Sequence, residues 1–129
     1  MAEHIIGGTQ DFSLDEYKNR QLRCYMNKLK HGFNVTDFHK EARFILKELS
    51  ELMDAIEHND VENMIEEIGD IVIFCYGLAE MAHRDLDTQV FKKMAINESR
   101  KYERNYMGDF VKTGELEEDS LENGESTQT

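Results

Sequence analysis

The sequence contains no proline, no tryptophan and only two cysteines. Because proline breaks helix interiors, its absence permits long, uninterrupted helices. The longest apolar run covers residues 71–76, far short of the roughly 18 residues of a membrane-spanning helix, so we predict no membrane insertion. Cys24 and Cys75 lie far apart in apolar surroundings, which is typical of buried thiols in a reducing compartment rather than of a disulfide or metal pair.

The N-terminal residues show neither the basic segment nor the apolar segment of a secretory signal, and the expected location is therefore the cytoplasm. Basic residues are also scarce, with 15 Lys and Arg against 27 Asp and Glu, giving a net charge of −12 over 129 residues. This balance argues against a protein whose main task is to bind a nucleic acid backbone. It raises the question of whether some of the carboxylates bind a ligand.

The acidic residues are unevenly distributed along the chain. Residues 113–129 contain six acidic residues, no basic residue and only two large apolar ones, so this segment is predicted to be a disordered tail. Residues 1–12 are predicted to be loosely ordered. Residues 13–112 form the predicted domain.

The domain has a helical pattern throughout, with four predicted helices and no predicted strand. The first helix begins at the capping box Ser13-Leu14-Asp15-Glu16 and ends near Lys30, before a turn at His31-Gly32-Phe33-Asn34. The second helix is capped by Thr36 or Asp37 and ends near Glu57. The third helix is capped by Asn59 and ends near His83. The fourth helix is capped by Asp85 or Asp87 and ends near Tyr106. Short loops between these helices predict an all-α, four-helix bundle-like chain with a central antiparallel helix hairpin.

Apolar residues at helical spacing predict a core stripe on each hairpin helix. On the second helix the stripe comprises Phe38, Ala42, Ile45, Leu49, Leu52 and Ile56. On the third helix it comprises Val61, Met64, Ile65, Ile68, Ile71, Val72, Cys75 and Ala79.

Four carboxylates occupy matching positions beside these stripes. Glu48 and Glu67 lie about 100° from the centre of their stripes, and Glu51 and Asp70 lie about 160° from it. Residues three apart are neighbours on a helix, so each pair repels, and two pairs facing each other across a hairpin repel more strongly. A hard divalent cation such as Mg²⁺ offsets that repulsion and links carboxylates to phosphates. The alternative is that these acids are ordinary solvated charges in an acidic protein.

Two further features fit a phosphate ligand. Gly69, beside Asp70, leaves room for a ligand or a closely packed helix, although glycine disfavours a helix interior. On the fourth helix, Lys93, Asn97, Arg100 or Lys101, and Arg104 form a polar, basic stripe suited to a polyphosphate; the alternative is a solvated helix face. Residues that read a base are not evident, and Phe33, His31 and Asn34 in the first turn are the candidates.

The four acids carry a family resemblance. Glu48-x-x-Glu51, a gap of 15 residues, and Glu67-x-x-Asp70 resemble the motif of the MazG-like, all-α nucleoside triphosphate pyrophosphohydrolases. Glu66-Glu67-Ile68-Gly69-Asp70-Ile71 is similar to the family's second motif helix, and Lys101-Tyr102-Glu103-Arg104 to its Lys-Phe-x-Arg element. The resemblance covers roughly residues 18–106.

The resemblance implies cleavage of a nucleoside triphosphate, ribo or deoxy, into the monophosphate and pyrophosphate. It implies that Glu48, Glu51, Glu67 and Asp70 hold Mg²⁺, or Mn²⁺ in its place, and that one of them or a neighbouring acid orients the attacking water. It further implies phosphate contacts from Lys93, Asn97, Lys101 and Arg104, and a homodimer or homotetramer.

This chain departs from the family at two positions. Lys47 stands where some members have an acid before the first motif glutamate, and Asn105 stands where a second arginine can follow Arg104. The alternatives to this reading are a phosphoribosyl-ATP pyrophosphatase-like enzyme and a non-catalytic helical dimerisation module.

Overall fold

The computed structural model describes Ser13, Leu14, Tyr17 and residues 19–114. Predicted segment 1–12 and residues 115–129 of the predicted tail lie outside this range, whereas Thr113 and Gly114 belong to a strand. The elements are α1 (Arg20–Lys30), α2 (Phe38–Glu57), α3 (Val61–Met81), α4 (Leu86–Ser99), β1 (Lys101–Arg104) and β2 (Phe110–Gly114). The predicted all-α class with four helices is confirmed, with one small hairpin added.

The described chain divides between Leu86 and Asp87 into two compact units. In the first unit, α2 and α3 pack against each other, and α1 packs on α3. Since only residues 58–60 join α2 to α3, the two helices run antiparallel and form the predicted central hairpin. Among the described residues, none of the helices combines the length and the apolar character that a membrane span requires.

The helices of the first unit begin at side-chain caps. Of the two predicted caps of α2, Thr36 and Asp37, the cap is Asp37, which accepts from the backbone N–H of Lys40 at 3.1 Å. The cap of α3 is Asp60 rather than the predicted Asn59. The prediction for α1 was wrong: this helix begins at Arg20 because Asn19 accepts from Leu22 N–H at 2.9 Å. Of the predicted capping box, Asp15 and Glu16 lie outside the described residues.

The turn after α1 has the geometry that the sequence predicts. Gly32 has a φ of 68°, which a glycine adopts without steric cost. The Gly32 N–H donates to the Leu29 carbonyl at 3.2 Å, and the Phe33 N–H donates to the Lys28 carbonyl at 2.8 Å. This pair of bonds is the Schellman arrangement. It ends the helix and holds Phe33 in a defined position.

The prediction for the fourth helix was wrong beyond Ser99. Residues 101–104 and 110–114 instead pair as antiparallel strands. Asn105 organises the turn, because its side-chain oxygen accepts from Met107 N–H and Asp109 N–H at 3.0 Å each. Gly108 has a φ of 86° there. Lys101 and Arg104 therefore lie on a strand, and the predicted basic stripe does not continue along one helix.

The predicted core stripes are buried only in part, because six of their 14 residues are half-buried and the other eight are exposed. Leu49 is 43% exposed, Ile65 62% and Val72 43%. The face that packs inside the chain is the neighbouring one that carries the carboxylates. Along it, the rings of Phe44 and Phe74 are in contact, with centroids 5.6 Å apart. The single chain thus leaves an apolar face of its helix hairpin exposed.

An ion pair buried in the first unit joins its helices on the side of the α1–α2 turn. Glu41 is completely buried and binds the ammonium group of Lys28. Its other oxygen accepts from the Asn34 side-chain amide at 2.8 Å. The Lys28 chain crosses α3 at Gly77, where a Cβ would lie 3.3 Å from the lysine Cδ. This network connects α1, the turn and α2 beside the site described next.

Candidate metal centre

Three of the four predicted acids meet between α2 and α3. Glu48 comes from α2, and Glu67 and Asp70 come from adjacent turns of α3. One oxygen from each lies within 4.8 Å of the others. The contact between Phe44 and Phe74 sets the packing of the two helices one turn away from Glu48. The matching positions of the acids in the sequence therefore become a cluster in space.

Two oxygens of this cluster are buried without a partner. Glu48 Oε2 and Glu67 Oε2 have no hydrogen-bond donor among the described residues. Buried polar atoms are normally satisfied, and leaving a charged one unsatisfied is costly. Mg²⁺ binds oxygen at about 2.1 Å, so opposite ligands of one ion are about 4.2 Å apart. The oxygen separations and the missing partners both fit a hard divalent cation.

The charge on Glu48 is strongly affected by its neighbours. Its pKa is raised from 4.5 to about 7. The largest cause is a hydrogen bond with the Glu67 carboxyl, which favours the protonated form, and the second is desolvation by burial. The Glu51 carboxyl raises this pKa further, by hydrogen bonding and by charge repulsion, and Glu67 adds its own repulsion. Such a hydrogen bond requires a proton on one carboxyl. When both are ionised neither donates, and the two buried oxygens lack partners.

Glu51 stands apart from the other three acids. Its carboxyl is close enough to affect Glu48, but it is not among the three whose oxygens converge. The residues predicted to contact phosphate lie elsewhere in the chain. Lys93 and Asn97 are on α4, where Asn97 accepts from Arg100 at 2.7 Å. Lys101 and Arg104 are on β1, and the Arg104 guanidinium lies 4.8 Å from the centre of the Phe110 ring.

A cavity of about 440 Å³ adjoins the cluster on the side of the α1–α2 turn. It is lined by Lys28, Gly32, Phe33, Asn34, Lys40, Glu41, Phe44, Lys47, Glu48 and Phe74. Lys40 and Lys47 were missed as site candidates in the sequence. Their separation of seven residues places them on the same helix face as Phe44 and next to Glu48, and this spacing was the available signal.

The candidates for binding the base, which lie in the first turn, differ in their contacts and exposure. Asn34 donates to Asp37 O and to Glu41, and its oxygen accepts from Asp37 N–H and Thr36 N–H. Its amide is thus committed to the turn. Phe33 is 56% exposed, lines the cavity and stacks on His31 with centroids 5.2 Å apart.

Gly69 opens onto a different cavity. A Cβ at this position would meet nothing within 4 Å. The space there measures about 620 Å³ and is bordered by residues of α1 and α3, including Cys24 and Tyr76. The expected room exists, but no helix of the described chain packs closely against Gly69.

The raised pKa of Glu48 predicts how pH affects metal binding. Between about pH 4.5 and 7 the metal-free folded protein holds a proton that the unfolded chain has lost, so the stability due to Glu48 falls as pH rises through this window. A cation must displace that proton and therefore binds more tightly at higher pH. We expect Mg²⁺ to raise the melting temperature more at pH 8 than at pH 6, measured by calorimetry. An equal shift at both pH values would contradict this assignment.

Comparison with known proteins gives a family match for this chain. The sequence profile of the MazG nucleotide pyrophosphohydrolase domain matches residues 37–105, which include α2, α3 and all four acids. Neither the curated proteins nor the solved structures yield a match to this chain. The profile covers more than half of the chain, and the protein therefore belongs to the MazG nucleotide pyrophosphohydrolase domain family.

Proposed function

We propose that this protein is a Mg²⁺-dependent pyrophosphohydrolase that cleaves nucleoside triphosphates, ribo or deoxy, to the monophosphate and pyrophosphate. The observation that carries the proposal is the convergence of Glu48, Glu67 and Asp70 oxygens within 4.8 Å, two of these residues having a buried oxygen without a partner. Family membership supports nucleotide pyrophosphohydrolase chemistry in general. The two free cysteines fit a reducing compartment, and we place the protein in the cytoplasm.

The acids have separate proposed roles. Glu48, Glu67 and Asp70 would hold the cation, and Glu51 would complete the acidic set from the next turn of α2. When bound, Mg²⁺ neutralises phosphate oxygens and helps to generate a nucleophile from water. We assign Glu51 to orient the attacking water and accept its proton, because its carboxyl adjoins Glu48 outside the convergent group. The water oxygen forms a bond to phosphorus, the α–β bridging bond breaks, and pyrophosphate leaves with the electron pair.

The phosphate contacts in the second unit remain part of the proposal. Lys93, Asn97, Lys101 and Arg104 would bind the charged oxygens of the substrate from α4 and β1. Lysine and arginine bind phosphate through charge-assisted hydrogen bonds. Such contacts do not depend on all four residues sharing one helix face.

Product analysis tests the proposed reaction. The full chain is incubated with Mg²⁺ and a panel of ribo- and deoxyribonucleoside triphosphates together with phosphoribosyl-ATP. We expect monophosphate and pyrophosphate in equal amounts from at least one triphosphate. If phosphoribosyl-ATP were the single compound hydrolysed, the protein would instead be a phosphoribosyl-ATP pyrophosphatase-like enzyme. Diphosphate with inorganic phosphate, or no turnover of any compound, would refute the proposed function.

We also propose that two copies associate through the exposed apolar face of α2 and α3. This face carries apolar side chains that are 41–63% exposed. They are Leu49 on α2 and Val61, Ile65, Ile68 and Val72 on α3. Exposed apolar stretches of this kind are typical of protein interfaces. Light scattering should give a mass of at least twice 15.1 kDa. A mass of one chain at micromolar concentration would contradict the dimer.

A further inference from the structure

The acidic cluster of Glu48, Glu67 and Asp70 does not by itself attract a polyphosphate. Three convergent carboxylates and one divalent cation leave a net negative charge, and Glu51 adds to it. A triphosphate is itself highly charged, so its oxygens need cationic groups beside the metal. The sequence placed those groups on the fourth helix, but the first unit contains its own.

Three lysines line the cavity that adjoins Glu48. Lys28 is committed to Glu41. Lys40 and Lys47 are exposed, and in the described part of the chain neither ammonium group has an ion-pair partner. Lys47 directly precedes Glu48 on α2. Among the cavity lysines it is the nearest in sequence to the cluster.

The walls of this cavity are held in place by specific contacts. Glu41, which is completely buried, anchors its wall through Lys28 and Asn34. The phenylalanine pair Phe44 and Phe74 forms a rigid apolar surface in it. A volume of about 440 Å³ lies within the range of small-molecule sites. The cavity therefore offers one acidic end, a lysine rim and an aromatic wall, which suits a charged chain attached to an uncharged group.

We propose that Lys47, assisted by Lys40, binds the polyphosphate chain of the substrate at the mouth of this cavity. This inference rests on the proposed function and identifies a phosphate contact on α2 itself. Lys47 lines the cavity beside Glu48 and carries a charge opposite to that of a phosphate chain, so its effect acts on substrate binding rather than on metal binding.

Calorimetric titration of the full chain with inorganic tripolyphosphate in saturating Mg²⁺ tests the contact without requiring turnover. We expect Lys47→Gln to weaken binding at least tenfold, Lys40→Gln to weaken it less, and Lys47→Arg to remain within threefold of wild type. The affinity of Lys47→Gln should also fall less steeply with added salt. The matched control is Arg43→Gln, which removes the same charge one turn earlier on α2 from a side chain outside the cavity lining; it should change the affinity less than twofold.

The outcomes separate this inference from the proposed function. Mn²⁺ binding in the absence of phosphate should be equal in wild type and Lys47→Gln, which excludes a general disturbance of the cluster. Equal losses in Lys47→Gln and Arg43→Gln, or no binding of tripolyphosphate by wild type, would overturn the inference. Binding that depends on Lys47 in a protein that hydrolyses no nucleotide would refute the proposed function and leave this contact standing.

Discussion

Replacement of Glu67 by glutamine is expected to reduce pyrophosphate release by about 10²–10³-fold, the loss typical of removing one group that stabilises charge in the transition state. The change retains the size of the side chain and removes its charge. Glu67 contributes an oxygen to the convergent group and has a buried oxygen without a partner. Initial rates with the best nucleotide from the panel, at saturating Mg²⁺, measure this effect.

The adjacent residue supplies a matched control. Glu66 lies on the same turn of α3 and carries the same charge, but it is exposed and is not part of the convergent group. Glu66→Gln should therefore retain at least half of the wild-type rate. Similar losses in both variants would indicate a general effect of charge, and a fully active Glu67→Gln would remove the cluster from the mechanism.

Replacement of Glu41 by alanine is expected to lower the free energy of unfolding by about 3–5 kcal/mol. The Lys28 ammonium would lose its carboxylate while its side chain is only 12% exposed, and Asn34 would lose an acceptor. For a domain of this size, each kcal/mol lowers the melting temperature by roughly 4–8 °C. Urea unfolding followed by circular dichroism measures the difference directly.

A double variant separates the cost of the stranded charge from the loss of packing. Lys28→Met with Glu41→Leu removes both charges and retains most of the volume, and it should recover a large part of the stability lost in Glu41→Ala. A Glu41→Ala protein that unfolds at the wild-type urea concentration would show that the pair contributes nothing. A double variant as unstable as Glu41→Ala would assign the loss to packing instead.

The acidic cluster was predictable because its signal is local. Helical spacing places Glu67 and Asp70 on one face, and the short α2–α3 connection brings Glu48 opposite them. The ends of α2 were predictable for the same reason, since Asp37 and the residues after Glu57 provide cap and turn chemistry. These features depend on neighbours a few residues away.

The features that were missed depend on longer-range or competing effects. Periodicity identifies an apolar face but not which partner covers it, so the stripe through Ile65 was assigned to the core although the single chain leaves it exposed. At residues 101–114, the turn formed by Asn105 and Gly108 overrides the helical pattern of the preceding segment. Lys40 and Lys47 were overlooked because the cavity that they line is formed in part by the α1–α2 turn, which the spacing of residues along α2 does not reveal.

Titration of the protein with Mn²⁺ in the absence of nucleotide tests the central claim most directly, because it asks whether the convergent carboxylates hold a cation. The calorimetric experiment is performed at pH 8, above the pKa of Glu48 of about 7. We predict saturable binding to wild type and to Glu66→Gln, and at least a tenfold loss of affinity in Glu67→Gln. Absence of binding to wild type, or equal affinity in all three proteins, would contradict the account.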